Sequence, residues 1–272
     1  MIKKTEIAGA FYPGNPTVLQ NQINKFLRNA PVKKKYKEIL GIISPHAGYT
    51  YSGQSAAFGF NAIKQKNFDL VVIIAPSHRF MGFEYSVGNW EAYETPLGQS
   101  IIHTELTEKL LEFDGFEFIP SAYDSENSLE VQIPFVQSIK PDAKIITIII
   151  GNQSDENSSY LAQNLSEIFK DRLDKTVFIA SSDLSHYHNS KTAIKMDTEL
   201  IDLLLKKDID DLYKNIRTRK IEACGYGPIL TLMYMADMLE FDKIEKLNYT
   251  HSGEITYDNA HVVGYFSGIV FK

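Results

Sequence analysis

The sequence predicts an α/β fold: a largely parallel or mixed central sheet with helices on both faces. Three observations lead there. Segments 39–44, 69–75, 143–150 and 176–181 are continuous apolar runs rich in Ile and Val, as expected of strands buried on both faces. Between them lie stretches with apolar residues at helical spacing, and that alternation is the pattern of parallel strands joined by crossover helices. Finally, the 272 residues contain no repeat, low-complexity tract or linker, so one domain over 1–272 is the expected organisation.

The elements follow in order. Asn15-Pro16 reads as an N-cap followed by proline at the first helical position. Val18, Leu19, Ile23, Phe26 and Leu27 carry that helix to about residue 29. Ile39 to Ser44 is the first buried strand. Ser55 to Lys64 reads as a helix with Ala56, Phe60 and Ile63 inward. Asp69 to Ala75 is the second strand. Residues 80 to 102, with Gly82, Gly88 and the turn Thr95-Pro96-Leu97-Gly98, read as a hairpin or an irregular excursion. Thr104 to Phe113 and Ser128 to Ile139 read as helices, the second kinked or shortened by Pro134. Ala143 to Ile150 is the third strand, Ser158 to Leu173 a helix, and Thr176 to Ser181 the fourth strand. Residues 191–206, 208–214 and 228–240 are expected to be helical, and Lys243 to Thr250 and His261 to Phe271 close the chain as strands.

Bulk properties narrow the function. Hydrophobic residues make up 44% and charged residues 23% of the chain, an ordinary soluble composition. The formal net charge of −6 provides no basic field for nucleic acid or an anionic membrane. Lys33-Lys34-Lys35 is too short a run to change that and reads as a solvated loop. Cys224 is the one cysteine, so no disulfide can form within the chain, which fits a reducing compartment. Met1 to Ala10 lacks the apolar core of a signal peptide. The longest apolar runs, Leu70 to Pro76 and Ile145 to Ile150, are far too short to span a bilayer. The expectation is a soluble cytoplasmic protein.

Chemistry gathers at the strand ends. "ILGIIS" runs into Pro45-His46, "LVVIIAP" into Ser77-His78, and "TVFIASS" into Asp183-Leu184-Ser185-His186. The carboxyl ends of parallel strands share one edge, where sites form in open α/β sheets, so His46, His78 and His186 are expected on one rim. A lone histidine after a strand can simply cap a helix or bond a carbonyl, but three in equivalent places favour a shared site. His188 could compete with His186. His103, at a helix start, reads as a surface residue, and His251 and His261 flank a loop. Cys224 precedes a helix start within a turn shaped by Gly225, Gly227 and Pro228, where a helix N-terminus would lower the thiol pKa. The plain alternative is a small buried hydrophobe.

Two chemistries use such a set. Two imidazoles and a thiolate make a three-ligand metal site with open positions, suited to iron, copper or zinc. Alternatively, Cys224 is a nucleophile with a histidine base. In either, Asp183 and His186 supply an acid/base or a supporting pair.

These residues sit in motifs that resemble one family, the Memo-like proteins. The resemblance spans nearly the whole chain: "AGAFYPGN" (8–15), "PHAGYTYSG" (45–53), "APSH" (75–78), "ENSLEVQIPF" (126–135), "SSDLSHY" (181–187), "CGYGPI" (224–229) and "VVGYFS" (262–267). It implies a fold similar to the class III extradiol dioxygenases, which are non-haem iron enzymes. It implies metal ligands at His46, His78 and Cys224, with the dioxygenase catalytic histidine falling on His186. Fe(II) is the cofactor this implies, with copper or zinc as alternatives. The dioxygenases use a carboxylate as third ligand where this chain has cysteine, which argues against ring cleavage. Where the family often has histidine, this chain has Asn127. Bacterial and archaeal relatives resemble part of a trio with an Ammecr-like protein and a radical SAM enzyme, which are the implied partners beside an unidentified small-molecule or peptide substrate.

Three functions therefore compete: a metal-dependent oxidoreductase or redox protein, a non-enzymatic peptide- or protein-binding module on a dioxygenase-like scaffold, and a metal-free Cys–His hydrolase. Metal content after anaerobic purification separates the first from the others.

Overall fold

The computed structural model describes residues 1–272. Twelve strands and ten α-helices follow one another along the chain. The strands are β1 (Ile2–Lys3), β2 (Ile39–Ser44), β3 (Leu70–Pro76), β4 (Tyr85–Val87), β5 (Ala92–Thr95), β6 (Gly98–Ile101), β7 (Phe116–Glu117), β8 (Lys144–Ile150), β9 (Thr176–Ser181), β10 (His186–His188), β11 (Lys243–His251) and β12 (Val262–Phe271). The helices are α1 (Pro16–Arg28), α2 (Tyr49–Ile63), α3 (Thr104–Leu110), α4 (Asn127–Glu130), α5 (Ile133–Ile139), α6 (Asp155–Phe169), α7 (Ser190–Lys206), α8 (Ile209–Arg217), α9 (Tyr226–Met238) and α10 (Gly253–Thr256).

The main sheet has nine strands and is mixed. Its centre is parallel: β2 pairs β9, β9 pairs β3, and β3 pairs β8. Antiparallel strands flank that centre, β12 beside β2 and β4 beside β8. β10 and β11 both pair β12. Alternation along β3 shows why the sheet is covered twice. Leu70, Val72 and Ile74 enter one core with Leu165, Leu230 and Met233, from α6 and α9. Val71, Ile73 and Ala75 enter the other with Ile23, Phe60 and Phe135, from α1, α2 and α5. The two cores hold 37 and 36 buried residues, so neither face is the solvent face. Each buried Val, Leu or Ile contributes about 1.5–3 kcal/mol.

Local signals set several boundaries. Asn15 caps α1 by accepting from the N–H groups of Thr17 and Val18, with Pro16 at the first position. Ile39–Ser44 and Thr176–Ser181 are strands at the expected limits. Residues 80–102 form the short strands β4, β5 and β6. The stretch expected as one helix from 128 to 139 is two, α4 and α5, separated before Pro134, whose ring cannot follow an unbroken helical turn.

Two starts differ from expectation. α2 begins at Tyr49, not Ser55, although Gly53 and Gly59 lower its intrinsic propensity. Packing prevails: a Cβ on Gly53 would lie 2.6 Å from the Phe26 ring, so that glycine lets α1 and α2 approach. α6 begins at Asp155, not Ser158, because Ser154 caps it by accepting from Asn157 N–H. No helix is long and apolar enough to cross a membrane.

Candidate metal centre

The register of the parallel centre places three strand ends side by side. Ser44 of β2 pairs with Ser181 of β9, and Ile74 of β3 pairs with Ala180. His46 and His78 each follow a strand by two residues, so both imidazoles arrive at the same edge. The third contributor comes from the turn before α9. A Cβ on Gly225 would lie 2.1 Å from the Ser181 carbonyl oxygen, so only glycine lets this turn press against the end of β9. Gly225 N–H donates to Ser182 Oγ at 2.9 Å, and Gln153 Nε2 donates to the Cys224 carbonyl at 2.9 Å.

His46 is 2% exposed and held at three points. Its backbone N–H donates to Asp183 Oδ1 at 2.8 Å, Nδ1 lies 2.9 Å from Ser181 Oγ, and Nε2 lies 3.0 Å from Cys224 Sγ. His78 is held by Glu126, whose Oε2 accepts its backbone N–H at 2.6 Å and whose Oε1 lies 2.9 Å from Nδ1. The two rings are 5.2 Å apart and inclined at 75°. One donor atom from each of His46, His78 and Cys224 falls within 4.8 Å of the others.

The electrostatics of the three differ. Burial, with His78 alongside, holds His46 well below the usual imidazole pKa, so its ring is neutral. Burial also pulls His78 down, but the bond to Glu126 and its charge outweigh this and raise it. Glu126 is pushed up by burial and pulled down further by His78. Burial, together with the nearby Asp183 carboxylate, pushes the Cys224 thiol far above its ordinary value. That corrects the expectation that the start of α9 would lower it. Although Cys224 is partly exposed as a residue, its sulfur is crowded, with Asp183 N–H donating to it at 3.3 Å. The helix-end effect of at most about 2 kcal/mol is the smaller influence here.

That donor set fits a soft or borderline divalent cation. Two imidazoles with Nε2 facing inward and a thiol that nothing else ionises need a cation to produce the thiolate. A cation would supply the charge the pocket lacks.

The remaining candidates are placed as follows. Asp183 is 4% exposed, and burial pushes its carboxyl up to about 6. It accepts backbone N–H groups of His46 and Ala47 and so holds the main chain of the His46 turn. His186 lies outside the three-donor group, but near enough to influence both His46 and Asp183 electrostatically. Its Nδ1 lies 2.7 Å from the Leu184 carbonyl, so Nδ1 carries a proton and Nε2 is free. His188 turns to Glu222, with Nε2 at 3.1 Å. Between these histidines Tyr187 is 73% exposed and has φ of 62°, an uncommon backbone state for such a residue. His103 caps α3 and meets Arg172. His251 is buried, and His261 lies in an exposed stretch. Asn127 Nδ2 donates to the His46 carbonyl at 3.1 Å.

Strand-end reasoning missed Glu126, Ser181 and Gln132. Glu126 had a signal, an acidic residue just before a helix start, where it caps α4 by accepting from Ser128 N–H.

Comparison with known proteins came to the same region of sequence space from whole-chain similarity. The family model described as Memo-like protein matches residues 3–269. A MEMO1 family protein of Nitrosopumilus maritimus is 36% identical, over 97% of this chain and 98% of its own. One from Thermotoga maritima is 34% identical over the full length of both. Among solved structures, an uncharacterized protein of Escherichia coli K12 has TM-score 0.54 at 12% identity, covering 85% of this chain and 99% of that one; that likeness concerns the fold alone.

Proposed function

We propose that this chain, which belongs to the Memo-like protein family, binds a metal ion at His46, His78 and Cys224 and uses it in redox chemistry. Fe(II) is the preferred ion, with copper as the redox-active alternative; zinc would suit the same donors but supply Lewis acidity alone. The observation that carries the reading is the convergence of two imidazoles and a thiol within 4.8 Å, the thiol being one that its surroundings keep protonated in the absence of a cation. Once bound, the ion supplies Lewis acidity and, for iron or copper, one-electron chemistry.

The chain's own groups would do the rest. His46 and His78 donate through Nε2, and Cys224 releases its proton on binding. Asp183 holds the His46 turn by its backbone. His186 offers Nε2 to accept and return a proton while Leu184 O fixes Nδ1–H. With three protein ligands the coordination sphere stays open to substrate. The test is metal analysis of protein purified without oxygen from its native host. About one iron or copper per chain supports the reading, and a metal-free, folded protein defeats it. In the same reading His186→Ala keeps the metal, while turnover of any oxidisable substrate found falls by about 100-fold or more.

The second reading is a non-enzymatic peptide- or protein-binding module. It is favoured by a groove of about 490 Å³ beside the centre, lined by Ser77, Met81, Phe83, Gln153 and Tyr226 among others. Met81 there is 73% exposed. A metal-free protein that retains a peptide ligand after His46→Ala would favour it.

A further inference from the structure

The tautomers of the two histidines can be read by following the protons. For His78, Nδ1 faces Glu126 Oε1 at 2.9 Å, and the same oxygen accepts Ser128 N–H at 3.1 Å. An ionised carboxylate only accepts, so Nδ1 carries the hydrogen and Nε2 presents its lone pair.

For His46 the chain is longer. Ser181 Oγ lies 2.6 Å from the Ser128 carbonyl, which can only accept, so the one hydroxyl hydrogen goes there. Gln132 Nε2 touches both the Pro45 carbonyl at 3.0 Å and Ser181 Oγ at 2.8 Å. The carbonyl contact requires that atom to be the amide nitrogen, so Ser181 Oγ accepts from it. With its hydrogen given away, Ser181 Oγ can only accept from His46 Nδ1 at 2.9 Å. Nδ1 again carries the hydrogen, and Nε2 again presents its lone pair toward Cys224 Sγ.

Both chains end in one short stretch. Ser128 gives its N–H to the Glu126 carboxylate, takes the Ser181 hydroxyl hydrogen on its carbonyl, and donates its own hydroxyl to the Pro76 carbonyl at 2.8 Å. Glu126, Ser128 and Gln132 are all at most 2% exposed, so water cannot readily substitute for these partners.

We infer that segment 126–132 is a single orienting clamp that fixes both imidazoles in the Nδ1–H tautomer, with Glu126 acting directly on His78 and Gln132 acting through Ser181 on His46. These are positioning residues; none of them touches the donor position itself. The effect on metal affinity rests on the metal-binding reading above, whereas the tautomers belong to the metal-free protein.

The test is the two-bond ¹H–¹⁵N spectrum of the histidine rings in metal-free protein, at a pH high enough that both are neutral, paired with Fe(II) or Co(II) titration. In the unmodified protein both rings are expected as Nδ1–H. In Glu126→Gln a single amide oxygen must serve the three N–H groups that the carboxylate accepts, so His78 loses its exclusive Nδ1–H form and affinity falls about 10- to 100-fold, with His46 unchanged. In Ser181→Ala the His46 signal loses its Nδ1–H preference and His78 keeps its own. Gln132→Leu removes one donor to the Ser181 hydroxyl, so the His46 preference for Nδ1–H weakens while His78 keeps its own. An Nε2–H signal for either ring in the unmodified protein overturns the inference, as does a folded Glu126→Gln protein with unchanged tautomer and affinity. Should Glu126→Gln fail to fold, the unmodified and Ser181→Ala spectra decide. If the tautomers are as stated but no metal binds, the metal reading fails and the clamp stands.

Discussion

The floor and the rim of the candidate centre are built on different terms. His46 and His78 stand on the ends of central parallel strands, and each imidazole is tied through Nδ1 to a buried partner. His186 and His188 stand on β10, a three-residue strand that pairs β12 with a register shift. Their shared partner Glu222 is itself one-third exposed at its side chain, and Tyr187 between them holds a left-handed backbone. A donor that must meet a metal within a few tenths of an ångström needs the first kind of support. A group that meets a substrate and moves a proton can use the second. Floor and rim thus differ in how firmly the fold holds their side chains.

Four substitutions test the contrast between floor and rim, in order of decreasing effect. Cys224→Ser should fold and lose at least about 100-fold in iron or copper affinity, because a hydroxyl is a far poorer ligand than a thiolate. Competition against a coloured chelator reads it, and retained affinity would remove Cys224 from the floor. Next, Gly225→Ala must move the turn off the Ser181 carbonyl, since a Cβ there has only 2.1 Å. Urea denaturation should show a loss of about 1–3 kcal/mol, with weaker metal binding.

The third concerns Asp197, behind the rim. It is fully buried and accepts Ser185 N–H at 3.0 Å and Tyr249 O–H at 2.7 Å. Burial raises its carboxyl above the usual aspartate value of 3.8. The folded state then holds more protons than the unfolded state between pH 3.8 and the raised value, and stability must fall as pH rises through that window. Asp197→Asn should remove that contribution, with a slope difference of no more than about 1.4 kcal/mol per pH unit. Denaturation midpoints of both proteins across acidic pH check it; parallel curves would refute the assignment. The smallest effect belongs to His188→Ala, for which metal affinity should stay within about threefold, because its ring turns to Glu222 and away from the floor. An equal loss in His188→Ala and Cys224→Ser would merge the two regions.

Much of this architecture is legible in the amino-acid sequence. The buried strands announce themselves as unbroken apolar runs, and strand-end logic alone groups His46, His78 and His186 on one edge of the sheet. The parts that resist reading depend on neighbours far along the chain. α2 starts early because Gly53 meets Phe26 of another helix, which no window of sequence contains. The high thiol pKa of Cys224 comes from burial and Asp183, whereas local sequence displays only the helix start. Ser181 and Gln132 look like ordinary polar residues until the proton chain to His46 is traced. Whether the three donors hold a metal is chemistry that spacing alone does not decide, and it stands as the proposal above.

The position of β9 between β2 and β3 carries a consequence for how the molecule is made. His46 and His78 are already synthesised when the ribosome reaches residue 80, yet their strands are not neighbours. The strand that joins them arrives about a hundred residues later, and Cys224 later still. No two of these donors can be held in register by local contacts. Loops of this length close slowly and make folding a matter of non-local pairing. The three donor atoms therefore come together only when the sheet does.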